Sequence, residues 1–459
     1  MNKEMASGDK AMVAQAIPDR ERELDQLALH VEEALACAQA YGADSAEADA
    51  SMQAGISVQV RLGEVETLEH NRDHALSVTV YLGRSKGHAS CGDLRVGSVR
   101  ESVRRAVDIA RFTQEDKCNG LADPKQLATD FPDLDTWHPR AMDVNESMER
   151  ALACEAAGMD DQRINNSEGA TASSQVGLSV YGNSHGFVGR SAGTRFGQSC
   201  VLVAGKGETM QRDYWYDSRR AFEDLESPAQ TGIEAARRTV ARLGARQVAT
   251  ARLPVLFAPE VARSLFGHFT GAISGGALYR NASFLKDRAG EQLFPDWLNV
   301  AEMPFLKRGP GSAAFDADGV ATRERNVVEQ GVLTGYLLST YSARRLGLET
   351  TGNAGGAHNL RPSGREQPLE QIIAQMGRGL MVTEVMGQGV SMVTGDYSRG
   401  ATGFWIENGE ISHAVEEVTI AGNLKSMFAA IQALGDDRDE RGNIQSGSLL
   451  VDGMTVAGS

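Results

Sequence analysis

The residue types best suited to chemistry sit close together in the second half of the chain. Glu260, Ser264 and His268 recur every four residues, so a helix would carry a carboxylate, a hydroxyl and an imidazole on one strip. Val261, Leu265 and Phe269 repeat at the same spacing and make a neighbouring apolar face. Pro259 suits the first turn, where its missing amide hydrogen would have no intrahelical partner, and Glu260 suits the positive end of the helix dipole. Leu253 and Val255–Phe257 precede the helix as a short buried strand, and Gly275-Gly276 follow as a glycine-rich exit. A polar strip of this kind beside paired glycines reads as a site or the remains of one. His268 has two readings, an imidazole lining a cleft or one hydrogen-bonded in the core. Glu260 and His268 stand roughly 12 Å apart along a helix axis, too far to share one ion readily.

Other constellations are weaker. Ser274 lies one residue off a G-x-S-x-G elbow, and no strand leads directly into it. Glu384, Asp396 and Glu407 fall near strand ends and could act as acid–base groups, although scattered carboxylates in an acidic protein usually solvate it. Gly387-Gln388-Gly389 lacks the following helix that would receive a phosphate. Asp396, Tyr397, Ser398 and Arg399 read as a polar loop between strands, at a cleft or a subunit interface. The loop 351–364, with Asn353, Gly355, Gly356 and His358, allows close approach of a ligand or another chain, or is a long ordered turn.

The elements around these residues follow from periodicity. Residues 1–20 are polar and aperiodic and read as a disordered extension. Leu24, Leu27, Val31, Leu35 and Ala38 mark a helix. Strict alternation over 56–62 and 76–82 marks antiparallel strands, and Val99, Val103, Ala106, Val107 and Ala110 mark a second helix. After an Asp/Pro-rich stretch, 113–141, the pattern repeats: a helix near 145–158, strands over 176–181, 185–191, 199–204 and 210–216, and a helix over 228–243. Beyond Arg252 strands dominate. Gln330-Gly331 and Asn408-Gly409 signal tight hairpins, Ser339 caps a short helix ending at Gly347, and a last helix is expected over 424–434. Strands are also expected over 379–385, 390–394, 401–406 and 411–420. The expected fold class is α+β: a duplicated helix–antiparallel-strand N-terminal region followed by a strand-rich, barrel-like C-terminal domain. The expected divisions are 1–20, 21–112, a linker over 113–141, 142–246 and 247–459.

Composition narrows the function. The 459 residues carry a net charge of −15, which repels phosphate backbones and disfavours nucleic-acid binding. No apolar run reaches the roughly eighteen residues of a membrane span, and no signal-peptide core is present at the N-terminus. Five cysteines without a C-x-x-C pair fit free thiols in a reducing cytosol.

Several segments together carry a resemblance. Leu265-Phe-Gly-His-Phe269, Gly271-Ala-Ile-Ser-Gly-Gly276, Thr340-Tyr-Ser-Ala-Arg344, Gly387-Gln-Gly-Val-Ser391, Thr394-Gly-Asp-Tyr-Ser-Arg-Gly400 and Ile420-Ala-Gly-Asn-Leu424 resemble the TldD/PmbA family, also called modulators of DNA gyrase. The likeness runs from about Leu24 to Ser459 and favours the PmbA (TldE) branch. It implies a cytoplasmic metallopeptidase system in which TldD-type and TldE-type subunits act together on unfolded peptides, such as antibiotic-peptide precursors and labile antitoxins. The TldD-type subunit carries His-Glu-x-x-x-His on this helix and a cysteine near its C-terminus. Here the matching positions are Arg263, Ser264 and His268, and the C-terminal stretch reads Asn443-Ile-Gln-Ser446-Gly447, with no cysteine after Cys200. A catalytic zinc-type site needs three protein ligands. The resemblance therefore implies no metal in this chain and a metal ion, zinc by expectation, in a TldD-type partner. A self-sufficient hydrolase built around His268 and a non-proteolytic regulatory protein are the competing readings.

Overall fold

Two hydrophobic cores on one face of a single sheet organise the first half. The computed structural model describes residues 18–458, so the extension expected over 1–20 lies, as far as residue 17, outside the described residues. The helices and strands run in this order: α1 (Arg20–Ala40), β1 (Ser45–Arg61), β2 (Glu64–Leu82), β3 (Ser85–Cys91), α2 (Val96–Phe112), α3 (Val144–Met159), β4 (Ile164–Asn183), β5 (Val188–Ala204), β6 (Gln211–Arg219) and α4 (Pro228–Ala241). The order helix–three strands–helix thus occurs twice, and both sets join in one antiparallel sheet, β3-β2-β1-β4-β5-β6. Even-numbered side chains of β1 point to the helices. Ala46 to Ala54 pack with α1 and α2, and Ile56, Val58 and Val60 pack with α3 and α4. The strands are far longer than alternation suggested, because small residues such as Ala46, Ala48 and Ala50 fill buried positions without an apolar signal. The arginines of α2 are paired on the surface, Arg100 with Glu33 and both Arg104 and Arg105 with Glu101.

The described chain divides into two compact units. The first takes residues up to Glu115 together with Asp135–Leu243, and the second takes Asp116–Leu134 together with everything from Gly244. The segment 116–134 is tied to the second unit by the Arg344 guanidinium, which donates to the carbonyls of Cys118, Gly120 and Leu121.

The second unit continues with β7 (Ala251–Phe257), α5 (Pro259–Ala272), α6 (Gly275–Tyr279), β8 (Asn299–Glu302), β9 (Arg325–Glu329), β10 (Val332–Leu333), α7 (Thr340–Leu346), β11 (Leu360–Ser363), β12 (Glu366–Gln367) and α8 (Leu369–Met376). It ends with β13 (Gly379–Met386), β14 (Asp396–Glu407), β15 (Glu410–Asn423), α9 (Leu424–Ala429), β16 (Ile431–Gly435) and β17 (Leu449–Ala457). Strands β7, β13, β14, β15 and β17 close into a barrel, since β17 pairs with β7 as well as with β15. The expected barrel-like domain is therefore present. The hairpin turns fall where expected, with positive φ at Gln330, Gly331, Asn408 and Gly409, the conformation a two-residue I′ turn requires.

Three local expectations give way. The helix expected over 424–434 stops at Ala429, and Ile431 and Leu434 instead pair with Val451 and Leu449, so strand pairing overrides a helical spacing. No strand forms over 390–394: Ser391 N–H donates to Asp396 O and Gly395 N–H to Ser391 O, folding the segment into a turn. Asp396–Arg399 is not a loop but the start of β14, paired with Ala421, Gly422, Asn423 and Ile420 of β15.

Helices α3 and α4 cross at backbone contact. A Cβ at Gly232 would lie 2.0 Å from Cys154 O, whereas one at Gly177 on β4 would meet nothing within 4 Å. Gly232→Ala should lower unfolding stability by about 2 kcal/mol, and Gly177→Ala should change it by less than about 0.5 kcal/mol. Urea midpoints of the two variants read the difference, and equal midpoints would refute the crossing contact.

Candidate functional site

A single residue, Ala258, turns the chain from the barrel wall into α5. Its N–H donates to Val382 O at 2.9 Å, which pins the turn to β13. Val261, Ala262, Leu265, Phe266, Phe269 and Ala272 bury one face of α5. Phe269 meets Phe294 edge to face with centroids 5.2 Å apart, and Phe294 stacks on Phe428 at 4.9 Å. This aromatic wedge fixes the rotation of the helix. The strip left half-buried carries Glu260, Arg263, Ser264, Gly267, His268 and Gly271.

Two segments border that strip. On one side, Arg263 Nη1 lies 3.6 Å from Asp439 Oδ2. The same carboxylate accepts from Arg441, Nε to Oδ1 at 2.8 Å and Nη2 to Oδ2 at 3.0 Å. Burial would raise the Asp439 carboxyl, but Arg441, with Arg263 behind it, holds it below the usual carboxylate range. Ser446 is fully buried. Its hydroxyl donates to Gly447 O and its carbonyl accepts from Asp439 N–H, so it closes the 439–446 loop. Ser264 turns back on its own helix, donating to Val261 O at 2.7 Å. On the other side, the His268 ring meets Tyr397 edge to face, centroids 6.0 Å apart. Arg399 donates long hydrogen bonds, 3.4 Å each, to Met386 O and Val385 O. Asp396 is exposed and accepts from Thr394 and Asn423.

The glycine loop is held by two buried carboxylates. Glu302 accepts from Arg325 Nε at 2.9 Å, Asn353 Nδ2 at 2.6 Å and His358 N–H at 3.1 Å, with His358 Nδ1 also 3.1 Å away. Burial would lift this carboxyl, but the His358 hydrogen bonds and the Arg325 charge outweigh it and hold it at about 2. Asp316 accepts from the N–H groups of Ala354, Val320 and Asp318. Burial and the charge of Asp318 push it up to about 7 against those donors. Between the anchors, Gly355 and Gly356 take positive φ. The loop then joins the 439–446 segment, since Leu360 N–H donates to Asn443 O and Gln445 N–H to Leu360 O.

The strip of α5 therefore gathers Arg263, Ser264, His268 and Arg399 with the 439–446 loop. Gly275 is buried elsewhere, against Ser342 of α7, and Gly276 lies beside Arg280. Ser274 caps α6 and donates to Gly271 O. Glu384 neighbours Thr402, and Glu407 is exposed at a hairpin. Sequence reasoning missed Asp439, Arg441, Glu302 and Arg325. The run Asp436–Arg441 has the composition of a solvated loop, and only its tertiary position makes its ion pair buried.

Three profiles match consecutive parts of the chain: PmbA/TldA metallopeptidase domain 1 over residues 46–110, the central domain over 137–243 and the C-terminal domain over 250–458. Metalloprotease PmbA of Escherichia coli O157:H7 is 49% identical over 416 residues, 90% of this chain and 92% of that protein. The chain belongs to the PmbA/TldD metallopeptidase family. A PmbA homologue of Haemophilus influenzae is 44% identical over 90% of this chain and 92% of its own length. Among solved structures, one described as a modulator of DNA gyrase from Bacteroides thetaiotaomicron matches with a TM-score of 0.90 at 26% identity, covering 95% of this chain and 99% of that one. TldE from Thermococcus kodakarensis shares the fold, with a TM-score of 0.81 at 19% identity, covering 94% of this chain and 100% of its own.

A metallopeptidase family raises the question of a metal, and the side chains at the α5 strip do not fit one. Arg263 brings a cation already paired with Asp439, Ser264 and Ser446 are bonded to backbone carbonyls, and His268 contributes one imidazole. Among the described residues no group of three or more His, Cys, Asp or Glu side chains is placed to hold an ion.

The Glu302 anchor gives a stability prediction with a definite sign. Its carboxyl is depressed from 4.5 to about 2 in the fold. Its contribution is complete above about pH 4.5 and is lost as the pH falls toward 2. Glu302→Gln should cost about 3 kcal/mol at pH 7 and clearly less at pH 3, read as urea midpoints of both proteins at each pH. A pH-independent difference would contradict the ion-pair account.

Proposed function

We propose that this chain is the PmbA/TldE-type subunit of a heteromeric metalloprotease and that a TldD-type partner supplies the metal, zinc by expectation, and the catalytic carboxylate. The carrying observation is the Arg263–Asp439 ion pair, which puts a guanidinium on the α5 strip of a chain whose relatives are named metalloproteases. A cation at that point repels a metal ion, and the pairing with buried Asp439 ties it there. The same strip stays half-open along Gly267 and Gly271, which suits a subunit that lines a cleft rather than performs the bond cleavage. On this reading the assembly acts in the cytoplasm on peptides in an unfolded state, such as antibiotic-peptide precursors and labile antitoxins. The six-stranded sheet is open at β3 and β6, and such strand edges are where an extended peptide can add through backbone hydrogen bonds.

Elemental analysis and peptidase assays on the chain alone, and on the chain co-purified with a TldD-type subunit, test this reading. Metal and chelator-sensitive cleavage should occur only in the co-purified sample. Stoichiometric metal and cleavage by the isolated chain would overturn it in favour of a self-sufficient hydrolase. A stable co-purified complex without peptidase activity would overturn it in favour of a regulatory role.

A further inference from the structure

Two buried polar atoms on facing elements have no hydrogen-bond partner within the described chain: His268 Nε2 on α5 and Tyr397 Oη on β14. An unmatched buried polar atom is costly, so two of them at one spot call for a partner from outside the chain, a water or a ligand. Their rings touch edge to face. Tyr397 itself is 1% exposed, whereas His268 and Arg399 are half-buried and border the open strip. Arg399 lies two positions along the same strand and therefore on the same face as Tyr397. Its charge acts on both rings and its guanidinium comes near the phenol, although Oη has no partner of full hydrogen-bond geometry.

The protonation states follow from the surroundings. Burial pushes the Tyr397 phenol up to about 12, with Arg399 opposing, so Oη–H remains a donor at neutral pH. Burial, then the Arg399 charge, pushes His268 down, so its imidazole is neutral and carries one N–H. The Arg399 guanidinium is a permanent cation whose contacts to the Val385 and Met386 carbonyls are long. A phenol donor, a neutral imidazole and a fixed positive charge are neighbours here, with the two rings 6.0 Å apart between centroids and both within reach of Arg399. That set complements a group with one negative charge and two acceptor oxygens. Asp396, the acidic residue next to Tyr397, projects to the opposite face of β14, where Thr394 and Asn423 engage it. Gly271 keeps the helix surface low beside this place, with Met392 Cε only 3.4 Å from where a Cβ would stand.

We infer that His268, Tyr397 and Arg399 form a carboxylate-binding subsite, and that its ligand is the C-terminal carboxylate of a peptide. The subsite follows from the three side chains. Only the choice of a peptide as the source of the carboxylate rests on the peptidase reading.

The test uses the full chain and small probes. The imidazole signal of His268, assigned by its loss in His268→Gln, is followed by NMR during titration with N-acetyl-alanylglycine, its C-terminal amide, acetate and inorganic phosphate. The dipeptide acid should shift the signal saturably, with half-saturation at least tenfold below that of the amide and of acetate. Arg399→Gln and Tyr397→Phe should each reduce that preference at least fivefold. Tyr397→Phe keeps the ring and removes only an unpartnered hydroxyl, so it preserves the test where Arg399→Gln does not fold. Equal response to acid and amide, or no response, overturns the subsite. Acetate or phosphate acting as well as the dipeptide acid overturns the assignment to a peptide terminus. Peptidase activity plays no part in this measurement, so failure of the proposed subunit role and failure of the subsite are separate results.

Discussion

Closure of the barrel through β7 is the constraint on which the second unit depends. β7 pairs in parallel with β13 and antiparallel with β17, so a strand near the start of the unit is held between strands that come more than a hundred residues later. Parallel pairing next to an antiparallel neighbour needs a crossover, and the chain from Ala258 to Arg378 supplies it. Helix α5 is the first part of that crossover. Because β7 is fixed at both edges and Ala258 is bonded to Val382, the helix has little freedom in where it starts. The contacts of Phe266 and Phe269 with Phe294, and of Phe269 with Phe428, then settle which side of it faces inward.

The polar strip is consequently placed by apolar packing, and its neighbours arrive from distant sequence. Asp439 comes from the loop between β16 and β17, Tyr397 from the start of β14, and the glycine loop is led to the 439–446 segment by Leu360. Buried charges do the holding. Glu302 and Asp439 each accept from an arginine at short distance, and losing one partner would leave a buried charge uncompensated, so each pair holds its loop in one arrangement. Here the imposed geometry is that of two loops flanking a helix whose chemical groups are a guanidinium, a hydroxyl and an imidazole.

The first unit shows the same economy in a different form. Two copies of one helix–strand arrangement meet at the β1–β4 pairing, so that β1 contributes side chains to both hydrophobic clusters. One strand serving two cores explains its length. The repeat is legible in the chain as a recurring order of helical spacing and alternation, since the two halves share spacing rather than residues.

The sequence by itself determined the local elements and the types of side chain that α5 carries. Alternation, the Gln330-Gly331 and Asn408-Gly409 turns, the Ser339 cap and the apolar face of α5 are short-range effects, governed by steric preference and side-chain period. Arg263 and Ser264 likewise announce from residue type alone that the strip is poor in metal donors. Tertiary structure alone decided which end of the 424–434 segment became a strand, because the pairing of Ile431 with Val451 joins residues that no local pattern links. It also decided that Asp439 is a buried partner of Arg263 rather than one charge among many in a solvated loop, and that Tyr397 faces His268. Burial and contact depend on closing long loops, and their energies belong to residues that a one-dimensional pattern does not bring together.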